Sequence, residues 1–211
     1  MRFSLRALAM ITGCSLVLLA QVAVDAQADG EPQHAGARTS ISAVHVFSAS
    51  GDGAVIQGAG SQLIRSKDGV FMTFHTQGLM PGTVATAWWV VFNNPKACVT
   101  SPCRVADLLS NPYSQPSLLY AAGRIVGADG ALDMGAFLKV GDTTGSASVP
   151  VPPFPAVNPG LLDPKNSEVH VVIRSHGATL MGNDLTAQLT TFNGGCPPNV
   201  CANVQASIHQ P

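Results

Sequence analysis

Residues Thr83 to Asn93 read Thr-Val-Ala-Thr-Ala-Trp-Trp-Val-Val-Phe-Asn. Successive side chains of a strand point to opposite faces, so Trp88, Val90 and Phe92 share one face and Ala87, Trp89 and Val91 the other. Both faces are apolar, which predicts a strand covered on two sides: one in a core, the other beneath a second layer. The cover is expected from a short helix carrying Leu108 and Leu109, from the proline-rich loop with Phe154, from a second subunit or from a ligand. An uncovered Trp88 or Trp89 would offer a sugar or a partner a large amphipathic platform.

On either side of this segment the pattern is that of more strands. Ile41 to Phe47, Val55 to Arg65 and Val70 to Thr76 are rich in Val, Ile, Phe and Thr, and Gly-containing turns at 50–53, 67–69 and 78–82 separate them. Ser117 to Val126 and Ala131 to Val140 read as a hairpin through Gly127-Ala128-Asp129-Gly130. Glu168 to Ser175 and Ala202 to His209 complete about eight strands. With only two glutamates, 21 Gly and 15 Pro in 211 residues, a helical bundle is disfavoured. The expected fold is mainly β, an antiparallel β-sandwich or barrel. One short helix is expected before Pro112, capped by Ser101 with Pro102 in its first turn. Asp184 to Phe192 fits helix and strand spacing equally. Six prolines between Pro150 and Pro164 mark an extended crossing loop.

The amino terminus has the layout of a signal peptide. Arg2 and Arg6 precede an apolar run from Ala7 to Ala20, and Val24-Asp25-Ala26 supplies small residues for cleavage. Residues 1–26 are therefore read as a signal peptide, 27–40 as a polar leader and 41–211 as one β domain, secreted or periplasmic. The alternative is lipidation at Cys14, but the strongest apolar stretch would then follow the modified cysteine. No second apolar stretch is long enough to span a membrane.

Removal of Cys14 leaves Cys98, Cys103, Cys196 and Cys201, an even number, as expected of disulfides in an exported chain. Four residues separate the members of each pair, and a proline lies beside one cysteine of each. Local pairing, Cys98 with Cys103 and Cys196 with Cys201, is the first expectation. Crosswise pairing and a four-cysteine zinc site are the alternatives, the latter with spacing wider than a usual zinc knuckle. A short echo, Val91-Phe92-Asn93-Asn94 before one pair and Thr191-Phe192-Asn193-Gly194 before the other, suggests two similar loop ends at one rim.

The chain carries 11 Lys and Arg against 12 Asp and Glu, with no basic run, which argues against nucleic acid as a partner. The Gly-x-Ser-x-Gly, His-Glu-x-x-His, Cys-x-x-Cys and phosphate-loop signatures are absent, and no cofactor is implied. On the strand beginning at Glu168, the residues His170, Val172, Arg174 and His176 share one face, opposite a core-facing row of Val169, Val171 and Ile173. The polar row, with Trp88 and Trp89, forms a candidate ligand face. His45, His75, His170 and His176 form a candidate metal set if their strands are neighbours, although Arg174 would repel a cation and favour an anion.

Three strings carry a resemblance: Trp88 to Pro95 with Cys98 and Cys103, Glu168 to Gly177, and Phe192 to Cys201. They resemble segments of a group of uncharacterised secreted bacterial proteins, over about Ser40 to His209. The turn Gly78-Leu79-Met80-Pro81-Gly82 is similar to turns of exported immunoglobulin-like and CHRD-type sandwiches. The resemblance implies compartment and fold class and carries no activity. The expected function is that of an exported non-catalytic binding or structural module, with an unknown small molecule, glycan or protein as partner. The alternatives are a copper- or zinc-handling protein using histidines and a hydrolase with an unrecognised site.

Overall fold

Eight strands, all paired antiparallel, form one sheet in the order β5-β4-β7-β8-β1-β2-β3-β6. In chain order they are β1 (Arg38–Val46), β2 (Val55–Arg65), β3 (Gly69–Thr76), β4 (Thr83–Phe92), β5 (Pro116–Ile125), β6 (Leu132–Lys139), β7 (Glu168–Ala178) and β8 (Ala202–His209). The computed structural model describes residues 36–51, 53–147 and 158–211. The expected signal peptide, Cys14, most of the expected leader and Phe154 lie outside the described residues. No helix among the described residues is long and apolar enough to cross a membrane.

The mainly β expectation holds, in its barrel form. The sheet curls until its inner face closes on one core, built from alternate residues of β1 through β7: Val44, Leu63, Met72, Phe74, Trp89, Leu119, Met134 and Val171 among them. Its two edges, β5 and β6, are consecutive in the chain but do not pair, so the hairpin expected through Gly127–Gly130 is not formed. β5 pairs with β4 and β6 with β3, while the turn between them spans the opening. Period-two patterning fixes which face a strand buries but not which strand it meets, and a short glycine turn serves a barrel seam as well as a hairpin. Further along, the seam is sealed by bridges Leu119↔Ser146 and Val140↔Leu161.

Among the described residues, two α-helices lie on the outer surface. α1 (Val105–Ser110) starts later than expected, with Arg104 rather than Ser101 at its N-cap, and the Asp107 carboxylate accepts from Arg104 N–H at 2.9 Å. α2 (Gly182–Thr190) resolves the ambiguous segment as helix. Gln188 explains the choice, since its buried amide donates to the carbonyls of His176 and Ala178 and accepts from Leu180 N–H. A strand would have to break those bonds.

The barrel interior is apolar except along one seam. Arg65, on the inward row of β2, is 1% exposed. Its guanidinium donates to the carbonyls of Pro164, Ser167, His209 and Gln210 at 2.7, 2.8, 2.8 and 3.2 Å. Burial lowers its pKa to about 10, so it stays charged at neutral pH. One cation thus ties the end of β2 to the segment entering β7 and to the carboxy terminus. Arg65→Met keeps the stem but leaves four carbonyls without this donor. We expect a loss of about 3 kcal/mol or more in urea unfolding; a loss below about 1 kcal/mol would show that water replaces the guanidinium at no cost.

Candidate functional site

All ten residues of β4 are buried. Its inward row, with Trp89, belongs to the barrel core, and its outward row, with Trp88, Val90 and Phe92, belongs to a second cluster. That second cluster is completed by Leu118 of β5, Val172 of β7, and a cover of Cys103, Leu108, Leu109 and Phe192. The helix expected to cover the tryptophan strand does so. Trp88 meets Phe192 edge-on at 4.9 Å and Tyr120 at 5.7 Å.

The cover does not fill the space beneath it. Between α1, the segment 46–51 and the outer face of β4, β7 and β8 lies a cavity of about 290 Å³ with almost wholly apolar walls. Trp88, Val90, Leu108, Val172, Phe192 and Ala206 supply much of the lining. Its ionisable lining residues are His45, Arg104 and His170, and no Asp or Glu among the described residues lines it.

His170 reaches this cavity from β7 with its ring held from behind. Glu168 Oε1 accepts from Cys103 N–H and lies 2.7 Å from His170 Nε2. An ionised carboxylate only accepts, so Nε2 carries the proton, and the other nitrogen, Nδ1, makes no hydrogen bond among the described residues. The Phe92 ring stands at its side, 5.2 Å between centroids. Glu168 and His170 are two residues apart, hence on one strand face; that spacing is the signal in the sequence from which the pair could be found. Glu168 also lines a second, more polar cleft of about 560 Å³, with Lys96, Thr100 and Gln210.

The expected histidine–arginine row does lie on the outer face of β7, but beneath the covering loops rather than open to solvent. Arg174 is half-buried, its Cζ 4.1 Å above the Phe192 ring, and it donates to Phe192 O, Asn193 Oδ1 and Asn203 Oδ1. His176 is fully buried away from the cavity. Its Nδ1–H donates to Gly194 O at 2.8 Å, and its Nε2 accepts from the Thr86 hydroxyl, which accepts in turn from Trp88 Nε1–H.

The four histidines of the candidate metal set are not brought together. His45 Nδ1 bonds Gly53 O at 2.8 Å, and His75 pairs with Asp133 at 2.7 Å on the exposed face of β3 and β6. Only His45 and His170 share a wall of the cavity. Strand parity gave each histidine a face but not a neighbour, and the strand order separates them. The one group of three candidate ligands among the described residues is His176, Cys196 and Cys201, with ligand atoms within 4.8 Å of one another. Cys196 and Cys201 are joined to each other, as Cys98 is to Cys103, with Cα separations of 5.9 and 5.4 Å. Neither sulfur of that group is therefore a thiolate, the form a metal binds.

No family model, curated protein or solved structure matches the chain.

Sequence reasoning did not single out His209. It lies inside the barrel, Nδ1 and Nε2 each 2.9 Å from a serine hydroxyl, Ser40 and Ser61. Burial, with Arg65 nearby, lowers its pKa from 6.5 to about 4. Burial also lowers that of His176. A depressed folded-state value means that the unfolded chain takes up protons first, so stability is full above about pH 6.5 and declines as pH falls toward 4. For His209 the whole effect is on the order of 3 kcal/mol. Urea unfolding at pH 7.5 and 4.5 should show that decline, and His209→Gln, which can still bond both serines, should remove most of it. A variant with the same pH dependence as wild type would contradict the assignment.

Proposed function

We propose that this protein is an exported, non-catalytic binding module whose ligand is a small, mainly apolar molecule held in the cavity between α1 and the outer face of β4. The observation that carries the reading is the cavity itself. An α-helix, two aromatic side chains and a disulfide-closed loop cover the tryptophan face, yet a space of about 290 Å³ remains. Close packing is the rule in protein interiors, and a leftover space of this size is at the lower end of the range for small-molecule sites. The local disulfides fit a secreted or periplasmic location and hold the covering loops. Cys103 belongs to the wall, and the Cys196–Cys201 loop follows Phe192 directly.

Isothermal titration with 2-methylnaphthalene tests this reading. Saturable one-to-one binding is expected for the wild type. In Val172→Phe the larger side chain occupies the cavity, so binding should be lost with stability changed by less than about 1.5 kcal/mol. Equal binding to the variant, or a wild type that binds neither this probe nor its carboxylate analogue 2-naphthoate, would refute the reading.

A further inference from the structure

Among the described residues, the ionisable groups on the cavity wall are all basic. Arg104 is the one with a permanent charge, and its guanidinium makes neither hydrogen bond nor ion pair with the described residues. Its Nη1 is buried against Gly51, where any β-carbon would overlap it and where φ is +75°. The positive φ favours glycine at this position, and the guanidinium lies in the room a side chain would take. His45 meets the same loop two residues on, at Gly53 O, with Nδ1, and its Nε2 makes no hydrogen bond among the described residues. The acid nearest in function, Glu168, is engaged behind His170 and Cys103 N–H and does not line the cavity. With no carboxylate partner among the described residues, the buried Nη1 beside this apolar space is left without an acceptor, at an energetic cost.

We propose, resting on the binding-module reading above, that the ligand is a compact apolar monocarboxylate, with its hydrocarbon body against Trp88 and Val172 and its carboxylate on the Arg104 guanidinium. A guanidinium binds a carboxylate through parallel N–H donors, and an apolar surround strengthens that contact. The volume suits a medium-chain or aromatic acid better than a long acyl chain.

The test compares 2-naphthoate with 2-methylnaphthalene, which share a body and differ in carrying a carboxylate or a methyl group. Wild type should bind 2-naphthoate about tenfold more tightly or better by titration calorimetry. In Arg104→Met the ratio of the two affinities should fall to one or below, since burying a carboxylate without a partner is costly. Arg104→Lys should keep part of the preference. A wild-type ratio at or below one, or the same ratio in Arg104→Met, would overturn the acid assignment while leaving the apolar cavity reading intact. Failure of both probes to bind wild type would overturn both. The wild-type ratio decides the matter even if a variant fails to fold.

Discussion

The architecture depends on one strand that must be covered twice. β4 places Trp89 in the barrel and Trp88 outside it, and each indole takes roughly 200 Å² out of water, on the order of 5 kcal/mol at about 25 cal/mol per Å². The inner face is satisfied by curling the sheet until six other strands share its core. The outer face is covered by α1, α2, the Cys98–Cys103 loop, Phe192 and the segment 46–51. The polar groups beneath that cover are paired in the same economy. Trp88 Nε1–H, the Thr86 hydroxyl, His176 and Gly194 O form one line of donors and acceptors, so the indole that builds the cavity also anchors the loop carrying Phe192.

The interior seam serves the other requirement of a barrel, that its ends be tied. Arg65 gathers carbonyls from two separate stretches of chain, and His209 joins β1 to β2 through Ser40 and Ser61. Polar residues this deep are expected only where partners are supplied, and the supply here is mostly backbone carbonyl and serine hydroxyl rather than carboxylate. A neutral histidine beside a buried cation follows from that choice.

The strand boundaries were legible from alternation and glycine turns, most closely for β2 and β8, and the two-faced reading of Trp88 and Trp89 led directly to the covered layer. The partners of β5 and β6 were not legible, because a Gly127–Gly130 turn is compatible both with pairing and with a seam. The burial of Arg65 was written in the parity of Ser61, Leu63 and Arg65, but its acceptors come from residues 99 to 145 positions away. The cavity was legible only as a need for cover. Phe92 and Phe192, which head the two echoing cysteine loops, both line its wall. Nothing local marks Arg104 as unpaired, since an arginine finds or lacks a carboxylate only through the folded chain.

The central claim is that the cover over β4 leaves an apolar space open to a ligand. Crystals pressurised with xenon test it most directly, since xenon enters dry apolar cavities without needing a polar partner. The account expects a xenon peak between Trp88, Leu108 and Val172. A space closed by side chains, or filled with ordered water and empty of xenon, would contradict it.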